Sequence, residues 1–158
     1  MSRAFVKDQD ALDELPERPV SPNPNFVTPR GLRLIDEKLE SLRRDLAHAQ
    51  HESDRSAIAL ASRDLRYWTQ RRTSAQVVEP PKRAATVAFA TVVTIRRDDG
   101  RQQIYAIVGE DEADPAKGSI AYSSPMARAL LGKSKGDFAE FQGGEVEIVT
   151  LEAISPEG

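Results

Sequence analysis

The sequence predicts an α+β protein: an N-terminal antiparallel helical hairpin, a coiled coil in miniature, followed by a small antiparallel-sheet domain with one short helix. Three observations carry this reading. Between residues 28 and 75, apolar side chains recur at alternating spacings of three and four, the period of a helical seam. Beyond residue 85 the period falls to two, as half-buried strands require. Between the two regimes stands Glu79-Pro80-Pro81-Lys82, and two prolines in a row cannot continue a helix. The expected organisation is a flexible proline-rich arm over 1–25, the hairpin over 26–78, a linker over 79–84 and the sheet domain over 85–158.

The arm contains Pro16, Pro19, Pro22 and Pro24, which delete backbone donors and restrict the residues before them. Thr28 then offers a hydroxyl N-cap with Pro29 at the first helical position. Leu32, Ile35, Leu39, Leu42, Leu46 and Ala49 form the first seam, and Ile58, Ala61, Leu65, Trp68, Arg72 and Ala75 the second. A break between Gln50 and Ser56 lets the arms fold back on each other. Ser53 and Asp54 are both good N-caps for the second arm. The break holds neither glycine nor proline, so one long helix pairing between two chains is the alternative.

In the second half, Val87, Phe89, Thr91, Val93 and Ile95 alternate as a first strand, and Asp98-Asp99-Gly100 is a hairpin turn into a strand around Ile104 to Val108. Ser119 to Tyr122 is a third strand. Ser124-Pro125 caps a short helix, MARALLG, closed by Gly132. Phe138 to Phe141 then turns at Gly143-Gly144 into Glu145 to Leu151, completing the antiparallel sheet.

Composition excludes several classes of function. Cysteine is absent, which removes disulfides, thiolate metal sites and cysteine nucleophiles together. The opening MSRAFVKDQDALDELPERP carries charges where a signal peptide needs an apolar core, and no stretch approaches the roughly 20 apolar residues of a membrane span. The expectation is a cytoplasmic chain without membrane contact. The net charge of −3 divides into −2 over residues 1–25, +3 over 26–78 and −4 over 79–158. The middle segment is too mixed in sign for a duplex-DNA clamp.

Local clusters invite other chemistry. Glu110, Asp111, Glu112 and Asp114 suggest a Ca²⁺ loop but lack its glycine and terminal glutamate, so a solvated acidic turn is expected. His48 and His51 share a helix face with no third ligand in view. Arg63, Arg66, Arg71 and Arg72 interleave with Tyr67 and Trp68, a pattern used for single strands, yet Trp68 falls in the apolar seam and is assigned to packing. Met126, Leu130 and Leu131 have the spacing of a helix lying on a sheet. No catalytic triad or phosphate loop is present, and no independent enzyme is expected.

VGEDEADP (Val108 to Pro115), SSPMARALLGK (Ser123 to Lys133), GD (Gly136-Asp137) and GGEVEIV (Gly143 to Val149) resemble the C-terminal domain of the bacterial Gre transcript-cleavage factors. The order of elements from Phe26 to Ala153 resembles that family too, and MSRAFV, ELPERPVSPNPN and VTPRGL look like its GreB-type branch. The resemblance implies an FKBP-like sheet domain and a monomeric factor that docks on the rim of the RNA polymerase secondary channel. Nascent RNA or DNA is then met only through the polymerase complex. The implied docking residues are Gly109, Glu110, Asp111, Asp114, Pro115, Ser124, Pro125, Met126 and Arg128. It implies no cofactor of its own, and use of the polymerase's Mg²⁺ where RNA cleavage is stimulated.

The hairpin departs from that pattern. Family members carry a tip motif close to GDLSENAEY, and placing it on Ser53 to Ala57 keeps Asp54 while Ala57 stands where the partner glutamate belongs. Glu52 is the nearest substitute, so Asp54 and Glu52 are the tip candidates, with Asp54 the metal candidate jointly with the polymerase. Each arm also falls about 8–11 residues short, which at 1.5 Å per residue retracts the tip by roughly 12–16 Å. Two readings follow: a Gre elongation factor acting on backtracked or arrested complexes, or a channel-occupying regulator, like Rnk-like relatives, that binds polymerase without stimulating cleavage.

Overall fold

The structure, a computed structural model, describes residues 15–155. Helices α1 (Pro29–His51) and α2 (Arg55–Ser74) form the expected hairpin. The chain divides into two compact units, Met1–Pro22 with Leu34–Ser74 and Asn23–Arg33 with Ala75–Gly158.

In the hairpin unit the first seam holds as expected, with Ile35, Leu39, Leu42 and Ala49 buried. Ala61 is buried opposite, while Ile58, Leu65 and Trp68 are half-buried. The second seam needs one correction. Arg72 is exposed and reaches sideways to Asp36 on α1, Nε to Oδ1 at 2.7 Å, because a guanidinium head keeps its hydration while its stem packs. Arg71 is the buried arginine, 1% exposed.

The break is made without glycine. Ser53 adopts φ 53°, its N–H donates to the Gln50 carbonyl at 3.2 Å, and the Asp54 N–H reaches back to the Ala49 carbonyl at 2.9 Å. This is a Schellman stop with serine at the left-handed position. Asp54 then caps α2, its Oδ1 accepting from the Ala57 N–H at 3.1 Å. One residue therefore ends the first helix and starts the second, and the long continuous helix does not form.

Residues 15–22 have neither helix nor strand, yet they lie clipped along α2. Glu17 Oε1 accepts from Arg66 at 2.7 Å, and the Arg18 guanidinium stacks 4.0 Å from the Tyr67 ring centroid and 3.4 Å from Asp64. The rest of the arm expected to be flexible, residues 1–14, lies outside the described residues.

The second unit is built on a five-stranded sheet. Its strands are β3 (Thr91–Arg97), β4 (Gln102–Val108), β5 (Ser119–Ala121), β6 (Phe138–Phe141) and β7 (Gly144–Ala153), in the order β5-β4-β3-β7-β6. Helix α3 (Pro125–Leu130) starts at the Ser124 cap, whose hydroxyl accepts from the Ala127 N–H. It adds Met126, Ala127 and Leu130 to a core of Val87, Val93, Ile95, Ile107, Ile120, Ala139, Val146 and Ile148. Leu131, expected on the same face, is 36% exposed.

Four features differ from expectation. Strand β5 runs parallel to β4, with Ile107 paired to Ile120, because the turn between them crosses over rather than folding back. The first strand begins at Thr91: Ala90 at φ 66° breaks the alternation, and Val87 pairs its backbone with Gly132 and Lys133. The last hairpin turns at Gln142-Gly143, where both φ values are positive, as a two-residue turn of the I′ kind demands. Two short strands, β1 (Phe26–Val27) and β2 (Gln76–Val77), also pair in parallel, so the segments flanking the hairpin belong to the sheet unit.

Replacing Leu39 by Ala empties a buried seam position and is expected to lower stability by about 2–5 kcal/mol. Ser53→Gly relieves the left-handed conformation and should raise it by about 0.5–1 kcal/mol. Urea unfolding followed by far-UV circular dichroism checks both signs.

Candidate functional site

The acidic turn between β4 and β5 is held from within and is not the solvated loop expected. Glu110 Oε2 accepts from Ser123 Oγ at 2.9 Å and from Asn23 Nδ2 at 3.3 Å. Glu112 has a side chain only 7% exposed. Its Oε1 accepts the Thr28 hydroxyl, and its Oε2 accepts from Arg30 Nη1 at 3.1 Å. Thr28 Oγ1 in turn accepts the Gly31 N–H at 2.9 Å, the N-cap bond expected of it. A carboxylate at a helix N-terminus is also favoured by the free N–H groups and the helix dipole.

Two glycines make this approach possible. A Cβ on Gly31 would sit 2.7 Å from Glu112 Oε1, and a Cβ on Gly109 would collide with the Phe26 carbonyl oxygen. Around them Phe26, Phe89 and Tyr122 make an edge-to-face triad with centroids 5.4–6.0 Å apart. The Tyr122 hydroxyl donates to the Pro24 carbonyl. Sequence reasoning missed Glu112 as a latch. The available signal was Gly31 at N3, where a capping box carries Glu or Gln; here the carboxylate comes from 84 residues away.

The Glu110–Ser123 bond brings the acidic turn beside the start of α3, so the expected docking residues share one region. They divide by environment. Gly109 and Met126 are buried, Glu110 is engaged with Asn23 and Ser123, and Ser124 spends its hydroxyl on the α3 cap. Pro115, Pro125 and Arg128 are exposed, and Asp111 and Asp114 are half-exposed.

At the hairpin tip Glu52 and Asp54 are both exposed. Asp54 already spends one oxygen as a helix cap. Among the described residues no group of three or more His, Cys, Asp or Glu side chains is arranged to hold a metal ion. His48 and His51 are exposed on the last turn of α1. In the arginine-aromatic strip, Arg66 is engaged by Glu17, Arg63 by Asp64 and Arg72 by Asp36. No helix among the described residues is long and apolar enough to cross a membrane.

A helical hairpin and a small curled sheet in one chain, with an acidic turn set against a proline-started helix, define a two-unit α+β class of protein. Residues 82–156 match the family model "Transcription elongation factor, GreA/GreB, C-term". The "Transcription elongation factor GreB" of Neisseria meningitidis serogroup B is 33% identical over 154 residues, covering 82% of this chain and 94% of the relative. The "Transcription elongation factor GreA" of Alkalilimnicola ehrlichii is 32% identical, covering 80% and 94%. The crystal structure of GreA factor homolog 1 (Gfh1) of Thermus thermophilus covers 83% of this chain and 100% of its own at 18% identity, with a TM-score of 0.40. The chain belongs to the GreA/GreB family of transcription elongation factors.

The GreB alignment spans 154 residues yet takes in 82% of this chain, so that relative brings roughly two dozen residues with no counterpart here.

Thr28→Val and Glu112→Leu each remove one side of the latch, and a double-mutant cycle is expected to give a coupling of about 1–3 kcal/mol. Gly109→Ala should destabilise by about 2 kcal/mol or more through backbone displacement. Equilibrium denaturation of the four variants measures these differences.

Proposed function

We propose that this protein binds RNA polymerase through the exposed part of its sheet unit, at the rim of the secondary channel, and acts on backtracked or arrested elongation complexes. The observation that supports this is the Glu110–Ser123 hydrogen bond at 2.9 Å, which joins the acidic turn and the α3 start into one patch. Asp111, Asp114, Pro115, Pro125 and Arg128 offer the docking contacts, since their side chains are not consumed by the core. Gly109, Glu110, Ser124 and Met126 shape the patch from beneath. The protein is not itself the hydrolase: it contributes residues to a reaction carried by the polymerase.

At the tip the chemistry is sparse. The polymerase's Mg²⁺ supplies the Lewis acidity and activated water of RNA hydrolysis. Asp54 has one carboxylate oxygen not used in capping to turn toward such a site, and Glu52 is its nearest neighbour of like charge.

A second reading, channel occupancy without cleavage, rests on the sparse tip, where Ala57 stands in place of a second carboxylate beside Asp54. The 23-residue α1 is about 34 Å long at 1.5 Å per residue, and each turn removed from both arms withdraws the tip by about 5.4 Å.

The deciding experiment is RNA cleavage in a backtracked complex of the cognate polymerase, with binding confirmed independently. Asp54→Asn is the informative variant, because asparagine caps a helix as well as aspartate and only the charge is lost. Cleavage that falls at least about tenfold in Asp54→Asn, the lower edge of a contribution worth ~1.4 kcal/mol, with binding unchanged, is the expected result. Binding without cleavage selects the second reading, and failure to bind polymerase overturns both.

A further inference from the structure

The turn from β3 to β4 and the turn from β6 to β7 enclose a cavity of about 230 Å³, with Arg97, Asp98, Phe141 and Glu145 in its lining. Arg97 is paired with the buried Val146 across the sheet, so its side chain lies on the core face. There Gln103 Oε1 accepts the Arg97 Nε–H at 2.5 Å and the Tyr105 hydroxyl at 3.1 Å. The guanidinium carbon stands 5.9 Å from the Phe141 ring centroid. The arginine is therefore held in place by its Nε, and its two Nη groups have no hydrogen-bond partner among the described residues.

Carboxylates line the same cavity and do not pair with that guanidinium. Asp98 Oδ2 accepts the Glu145 N–H at 3.3 Å, and the exposed Glu145 carboxylate makes no ion pair among the described residues. A Cβ on Gly144 would come within 3.1 Å of Asp98 Oδ2, so glycine leaves that carboxylate uncrowded. Asp99 is out of play, because Arg101 closes it with its N–H at 3.0 Å and its Nε at 2.6 Å. An adjoining depression shares Asp98, Phe141 and Glu145 and adds Glu140. Opposite charges that line one cavity without meeting call for a small solute that carries both signs, and a few fixed polar groups around an aromatic floor are what orient such a solute. One cation facing an excess of carboxylates is the complement of one carboxylate and two cations. We propose that this cavity binds a free basic α-amino acid of the lysine type. Its carboxylate is forked by the Arg97 Nη groups, its α-ammonium meets Asp98, and its side-chain cation crosses the Phe141 ring toward Glu145 and Glu140. A lysine within a polypeptide lacks both the free carboxylate and the free α-ammonium and does not satisfy the site.

The probe is L-lysine, titrated into the full chain at constant ionic strength while backbone amides are followed by NMR. The expected result is saturable shifts confined to the two turns and their flanking strands, with a half-point below about 10 mM. Arg97→Gln and Glu145→Gln are each expected to weaken binding at least about tenfold. The Glu145 side chain makes no bond among the described residues, so that variant keeps the fold even where Arg97→Gln does not. Cadaverine, which is lysine without its carboxylate, should also bind at least about tenfold more weakly. Shifts that stay linear to about 10 mM overturn the proposal, as does unchanged binding in either folded variant. Cadaverine binding as tightly as L-lysine overturns it too, since the turns are then an acidic patch for any cation.

Discussion

Glu112 is the side chain on which the sheet unit's local geometry depends, because its carboxylate is buried to 7% exposure and must be satisfied there. A buried charge without partners is costly, and Thr28 and Arg30 are the donors that settle it. Once that carboxylate is in place, other choices are forced. Residue 31 has to lack a side chain, residue 109 has to let the Phe26 carbonyl approach, and Asn23–Arg33 becomes part of the sheet unit rather than of the helices that follow it. The pairing of Phe26–Val27 with Gln76–Val77 then gathers both ends of the hairpin segment in the same unit.

The acidic turn consequently does two jobs with different residues. Glu110 and Glu112 face inward and hold the chain that precedes α1, while Asp111, Asp114 and Pro115 keep solvent access. A run of acidic residues in a sequence does not distinguish these roles. Substituting the inward pair removes bonds that hold the fold, whereas substituting the outward set leaves those bonds in place, so the two groups are separable by stability measurements.

The hairpin shows a comparable economy at its tip. Asp54 closes the Schellman stop of α1 and caps α2, and it is also the one aspartate that the tip presents. The cap and the proposed tip chemistry would meet on one carboxylate, which is why an isosteric amide separates them. Along α2, the arm's Glu17 and Arg18 take up Arg66, Asp64 and the Tyr67 face. An arginine-aromatic pattern suggestive of nucleic acid is thus largely occupied by the chain's own residues.

Features set by neighbouring residues were readable from the sequence: the three-four seam of Ile35, Leu39 and Leu42, the Thr28-Pro29 and Ser124-Pro125 helix starts, the Asp98-Asp99-Gly100 turn, and the prolines at 80 and 81. Each rests on backbone sterics or a bond spanning a few positions. Much of the candidate site was legible as a location but not as an arrangement. That Glu110 and Glu112 turn inward, that β5 runs parallel to β4, that Arg71 rather than Arg72 is buried, and that Ser53 takes a left-handed conformation were decided by the tertiary structure. The inward carboxylates and the parallel pair depend on partners distant in the chain, and Ser53 and Arg71 on how their helices close and pack. The sequence by itself determined the helices and most strands of the main sheet, because those choices rest on local periodicity and capping, while the ends of the first strand and the β1–β2 pair waited on the fold. Only the tertiary structure decided which charges are buried, because a carboxylate turns inward only where a hydroxyl and a guanidinium have been brought to meet it.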